Sequence, residues 1–125
     1  YQGKEDLALM KELGVQPQAW APFAEGLKGM FTEPVFTEIA AKYGKTPAQV
    51  ILRWNVQQDV IVIPKTVHKE RMRENLEIWD FELDEDEMKR IEALDLGLPS
   101  MLDTRKLSEI RRVYDYLKNP VLTSL

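Results

Sequence analysis

The chain has 125 residues, enough for one domain with a core of its own, and its 17 basic and 21 acidic residues leave a net charge of −4 that argues against a general nucleic-acid surface. With no cysteine and a single histidine, a disulfide framework, thiol chemistry and a transition-metal site are not expected. No apolar stretch approaches the roughly 18 residues of a membrane span and no secretory pattern opens the sequence, so a cytoplasmic protein that does not engage a membrane is expected.

The first predicted element is a helix over Glu5–Leu13 that places Leu7, Met10 and Leu13 on one side and stops at Gly14. A strand over Val15–Ala21 follows, weakened by Pro17, which cannot donate to a sheet ladder. Pro22–Gly29 reads as a loop. A second helix is predicted over Pro34–Tyr43, preceded by Thr32 or Glu33 and ended by Gly44, with Val35, Phe36, Ile39, Ala40 and Tyr43 as its apolar stripe. Thr46, Pro47 and Gln49 form a T-x-x-Q capping box that starts a third helix running to about Gln58; Val50, Ile51, Leu52, Trp54 and Val56 cover most of its circumference and predict deep burial.

The apolar run Val60–Ile63 predicts a strand buried on both faces, as in a parallel sheet. A fourth helix, about Lys69–Trp79, is expected to bury Met72, Leu76 and Trp79. Asp84 and Glu87 form a D-x-x-E start for a fifth, which buries Met88, Ile91 and Leu94; its acidic run reads as helix-start charge and not as acid/base machinery. Gly97 and Pro99 break the chain, Asp103–Leu107 reads as irregular, and a last helix capped by Ser108 carries Ile110, Val113, Tyr114 and Leu117 up to Asn119 and Pro120. No repeat or linker divides the sequence. A strand that returns through helices to another strand implies a right-handed crossover and parallel pairing. Two strands alone make neither a stable sheet nor a closed barrel.

The segment Val60–Asn75 organises the rest. Past Pro64 it carries Lys65, Lys69, Arg71 and Arg73 against Glu70 and Glu74, a positive excess in an acidic chain. Cations just beyond the carboxyl end of a buried strand, at a helix start, suit a small anion such as a phosphate. Ile63, Pro64, Lys65, Thr66, Arg71, Glu74 and Asn75 stand at the spacing I-P-K-S/T-x-x-x-x-R-x-x-E-N, which resembles the cofactor-phosphate segment of aldo-keto reductases. Ala19–Gly26 (A-W-A-P-F-A-E-G) is similar to that family's seventh-strand motif; Ile39–Trp54 and Phe81–Met88 are also close to its wording.

The resemblance implies an α/β fold: the C-terminal fragment of an eight-stranded (β/α) TIM barrel, with about two parallel strands and five to six helices, forming one partial domain over the whole chain. Carried over residue by residue, it implies that Trp20 stacks on the nicotinamide of NADP and that Ala21 lacks the hydroxyl many members have there. Phe23 and Glu25 would sit in the loop over the pyrophosphate, where a Glu adds no positive charge. Lys65, Thr66 and Arg71 would hold the 2′-phosphate, Glu74 and Asn75 would bind the adenine edge, and Val67 would be a further cofactor-binding position. The family's chemistry needs a Tyr acid with a Lys, an Asp and a His, all from the first half of the barrel. No tyrosine here stands in a matching motif: Tyr43 and Tyr114 read as core, Tyr1 and Tyr116 have no role, and His68 reads as surface or phosphate edge. The expected result is a chain with the cofactor-phosphate side of an NADPH-dependent carbonyl reductase, no catalytic residues of its own, and no activity alone. Exposed barrel-interior residues and open strand edges predict a homo-oligomer or association with a polypeptide that supplies the first half. A nucleotide-binding remnant without catalysis is a further alternative.

Overall fold

The computed structural model describes residues 2–26, 29–97, 103 and 105–118. In chain order the elements are α1 (Lys4–Glu12), β1 (Gln18–Ala19), two 3-10 turns (Ala24–Gly26 and Met30–Thr32), α2 (Pro34–Tyr43), α3 (Pro47–Val56), β2 (Ile61–Val62), α4 (Lys69–Leu76), α5 (Glu85–Glu92) and α6 (Leu107–Lys118). They fall into two units, one over Gln2–Asp95 and one from Leu96 onward.

In the first unit β1 and β2 pair in parallel, Gln18 opposite Ile61 and Ala19 opposite Val62. This is the predicted parallel pairing, but each strand is shorter than the stretch expected for it, Val15–Ala21 and Val60–Ile63. Val60 N–H is drawn back to the carbonyl of Asn55 at the end of α3, so pairing starts only at Ile61, whose N–H donates to Pro17 O at 3.0 Å. Ala21, at φ 50°, turns the chain out of the sheet. The expectation that Val60–Ile63 is buried on both faces is not met: Val60 is buried, yet Ile61 is 47% and Ile63 62% exposed. Successive strand residues point to opposite faces, and among the described residues helices cover only the face of Val60 and Val62.

The core lies between α2, α3, α5 and the segment after α4. Phe36, Ile39 and Ala40 meet Val50, Ile51 and Leu52, and Ile78, Phe81, Leu83 and Ile91 close over them, with Met88 and Leu94 packed at the margin. The local signals for α3 and α5 hold. Thr46 Oγ1 accepts from Gln49 N–H while Gln49 Oε1 accepts from Thr46 N–H, and Asp84 and Glu87 do the same for α5. Gly44 closes α2 at φ 64°, a backbone state that costs glycine little.

The fourth helix departs from expectation. It ends at Leu76 and buries none of its residues; Met72, Leu76 and Trp79 are all exposed. Glu77 leaves helical geometry at φ −85°, ψ 55°, and the turn sends Ile78 into the core in place of the expected stripe. In the second unit α6 starts at Leu107, so Ser108 lies inside the helix and is not its cap. Its apolar stripe is exposed, and Tyr114, read as core, is 55% exposed with the Lys118 ammonium 4.6 Å from its ring centre. The expectations for Tyr1, Pro99, Asn119 and Pro120 lie outside the described residues.

Candidate functional site

Parallel pairing sends both strands out at the same end of the sheet. There β1 leads into Trp20–Gly26, and β2 leads through Ile63–His68 into α4. The structure thereby brings to one end the two loops that hold most of the sequence-predicted site residues. Trp20 is 71% exposed, so its indole is not the core aromatic its type alone suggests. Ala21 and Ala24, at φ 50° and 47°, are L-residues in the left-handed region, each costing about 1 kcal/mol. Ala24 N–H donates to Ala21 O at 2.8 Å and Gly26 N–H to Phe23 O at 2.8 Å, which coils this loop tightly. Phe23 is half-buried against the core with Phe31, ring centres 5.6 Å apart, so it anchors the loop from beneath. The side chain of Glu25 lies outside the described part.

On the second loop Lys65 and Val67 are exposed and Thr66 is half-buried. Thr66 Oγ1 accepts from His68 N–H at 3.1 Å, a local turn that ends the extended segment and starts α4. His68 caps α4 without a side-chain hydrogen bond, so no described side chain occupies the first-turn amides of this helix. Arg71 is exposed; Glu74 and Asn75, one turn further on, are half-buried. Among the described residues none of Lys65, Lys69, Arg71 and Arg73 takes part in an ion pair. Lys65 and Arg71, without a carboxylate partner among the described residues and next to an open helix start, are groups of the kind that suit a dianion; Arg73 belongs to the last turn of α4.

The other ionisable cluster joins α2 to α5 and is structural. Glu87 is buried; it accepts from Lys42 Nζ at 2.7 Å, from Tyr43 Oη at 2.8 Å and from Asp84 N–H at 2.9 Å. The Glu87 and Asp84 carboxylates hold Lys42 charged well above its ordinary range, and the Lys42 ammonium holds Asp84 below the ordinary value. Burial, then Glu87, pushes the Tyr43 phenol up. A phenol moved upward and bonded to a carboxylate is poorly placed to give up a proton near neutrality. Among the described residues no group of three His, Cys, Asp or Glu side chains is placed to hold a metal. A groove of about 610 Å³ lies at the amino ends of both strands, lined by Val15–Pro17, Gln57–Asp59 and α1, away from the two loops.

Gln49 and Lys45 were missed as contributors to the site. Gln49 reads in sequence as a helix cap alone, yet its Nε2 donates to Glu74 O at 3.1 Å and Glu77 O at 3.0 Å; Lys45 Nζ reaches the same Glu77 carbonyl at 3.2 Å. Their partners are carbonyls some thirty residues away, which no sequence spacing signals.

The aldo/keto reductase family profile matches residues 3–96. Methylglyoxal reductase DkgA of Escherichia coli (strain K12) is 47% identical over 83 residues, covering 66% of this chain and 30% of that protein. The crystal structure of Gox0644 in its apo form superposes with a TM-score of 0.72 at 35% identity, over 76% of this chain and 34% of that one. A Gox0644 variant in complex with NADPH gives 0.70 at 35% identity, over 74% and 33%. The chain thus spans about a third of the length of these relatives, and its fold is part of their (β/α) barrel. On the extent of the profile match and the identity to these reductases, the chain belongs to the aldo/keto reductase family.

Proposed function

We propose that this chain is the cofactor-phosphate side of an NADPH-dependent carbonyl reductase, and that it performs no hydride transfer by itself. The observation that carries the reading is that Lys65, Lys69 and Arg71, in the loop and first turn where β2 enters α4, have no ion-pair partner among the described residues. In this reading Lys65, Thr66 and Arg71 hold the 2′-phosphate of NADP, Glu74 and Asn75 meet the adenine, Trp20 offers its exposed face to the nicotinamide, Phe23 and Glu25 lie in the loop over the pyrophosphate, and Ala21 and Val67 are further cofactor-binding positions. When bound, the nicotinamide supplies the hydride for a carbonyl carbon. The chain's own contribution is charge and orientation: Lys65 supplies a point charge, Arg71 a planar fork that can bind two oxygens at once, and the open first turn of α4 adds its amide donors. The sequence holds no match to the family's Tyr, Lys, Asp and His, which is why the reading assigns binding and not catalysis. The test is separate titration of NADPH and NADH. Saturable binding with a preference for NADPH supports it, and the absence of saturable binding for either removes it. Reduction of a simple aldehyde by the purified chain, well above the buffer rate, contradicts the inactive part.

A second reading favours a partner-completed or self-associating module. Among the described residues Ile61 and Ile63 are exposed apolar groups at the sheet, Trp20 is exposed beside it, and both strands have an open edge. Sedimentation at micromolar concentration decides it: a well-behaved monomer contradicts self-association, and a monomer that also ignores an added first half of a related barrel contradicts the module altogether.

A further inference from the structure

We propose that Gln49 is the positioning residue that sets where α4 presents Arg71, Glu74 and Asn75. Its consequence for ligand binding rests on the phosphate reading above; its geometry does not. None of the eight residues of α4 is buried, so side-chain burial does not seat this helix. At its first turn no side chain caps it. At its last turn Gln49 Nε2 takes two of its carbonyls, Glu74 O at 3.1 Å and Glu77 O at 3.0 Å.

Gln49 is only 4% exposed, and the other end of its amide is equally committed. Oε1 accepts from Thr46 N–H at 2.9 Å and Thr46 Oγ1 at 3.3 Å, the capping box of α3. One rigid, planar group therefore ties the first turn of α3, which is part of the core, to the last turn of α4, which is not. Lys45 Nζ adds a third donor at Glu77 O, at 3.2 Å, and Ile78 then enters the core. Arg71 and Asn75 are i and i+4 on α4, so they share a face. Any rotation of the helix about its axis moves both together, and the Gln49 bonds oppose that rotation.

The two roles of Gln49 separate chemically. Glutamate serves a capping box as well as glutamine does, but an ionised carboxylate has no hydrogen to donate. Gln49→Glu therefore keeps the cap of α3 and removes the hold on α4, whereas Thr46→Ala weakens the cap and leaves Nε2 in place. The experiment is amide hydrogen exchange on the full chain at neutral pH, with NADPH titration beside it. In Gln49→Glu, protection over Met72–Ile78 is expected to fall about tenfold, while α2 and α3 hold theirs. Thr46→Ala is expected to lower protection at the start of α3 and spare α4. The carboxyl group introduced by Gln49→Glu is buried against two carbonyls and so titrates above the ordinary carboxylate range. As pH falls it takes up a proton and regains one donor, so the α4 loss, read against the wild type at each pH up to about pH 9, grows with rising pH and shrinks on acidification, which a merely destabilised fold would not do. Should Gln49→Glu unfold at neutral pH, Gln49→Met, which lacks the charge as well as the donors, is compared with Thr46→Ala in the same way. Unchanged α4 protection, or a loss spread evenly over α2, α3 and α4, overturns the proposal. NADPH affinity is expected to weaken severalfold in Gln49→Glu. A wild-type chain that binds no NADPH sinks the phosphate reading alone, because the exchange pattern still decides the role of Gln49.

Discussion

Arg71→Ala is the most direct probe of the cation cluster. Arg71 is exposed and in no ion pair with a described residue, so its removal strands no buried carboxylate and opens no cavity. Stability should change by less than about 0.5 kcal/mol, the range of ordinary surface substitutions. The effect on binding follows from charge. A phosphate dianion about 4 Å from a guanidinium in water-like surroundings attracts it by about 2 kcal/mol, and physiological salt cuts this to about 1 kcal/mol. One charge-assisted hydrogen bond brings the loss to about 1.5–2 kcal/mol, or about ten- to thirtyfold in Kd for NADPH. NADH has no 2′-phosphate, and its affinity should move less than about twofold on the same surface argument. Arg71→Lys keeps the charge but not the planar fork, so it should recover part of the loss. The assay is quenching of protein tryptophan fluorescence during titration with each nucleotide at two salt concentrations. The reasoning is refuted if NADPH and NADH weaken equally, or if the NADPH loss does not shrink as salt rises.

Three further outcomes test the scaffold that carries the cluster. Glu87→Ala removes the bonds from Tyr43 and from the Asp84 amide, and should cost about 2–3 kcal/mol in urea unfolding; the cycle with Tyr43→Phe should show coupling of about 1 kcal/mol, and additivity would disprove the clasp. Asp80 is held below its ordinary value of 3.8 by Lys45, and Asp84 below the same value by Lys42. A depressed folded value gives stability that is present above the unfolded value and lost as pH falls through the folded one, so circular dichroism should show an acid transition that begins below about pH 4 and moves upward in Lys42→Met. Leu52, fully buried in α3, should cost about 3 kcal/mol on truncation to alanine, read as a lower urea midpoint with unchanged slope.

What the sequence made legible is what depends on neighbours in the chain. The two capping boxes are contacts between residues three apart, and both stand where Thr46/Gln49 and Asp84/Glu87 place them. Gly14 and Gly44 end their helices for the same local reason. The proposal for Ile63 to Asn75 rests on the same kind of signal, charged side chains at fixed offsets from one strand. The end of α4 was not legible. A pattern of Met72, Leu76 and Trp79 at helical spacing predicts a buried stripe wherever a second surface exists to receive it. Here the helix is stopped by donors from Gln49 and Lys45, residues that announce only their local roles.

The strands show the same limit from the other side. Four apolar residues in a row, Val60–Ile63, fit a strand with a layer on each face, but the count of layers is a property of the whole fold and not of the run. Parallel register puts Gln18 opposite Ile61 and Ala19 opposite Val62, and Trp20 follows at once, in the bend where the chain leaves β1. The residue proposed to face the nicotinamide is thus adjacent in the chain to a sheet whose Ile61 face no described helix covers. The loop that carries Lys65 leaves from β2 and the loop that carries Trp20 from β1. Nucleotide binding and the covering of this face thus act on one small sheet, and whatever covers Ile61 and Ile63 also narrows the positions open to Trp20 and Lys65.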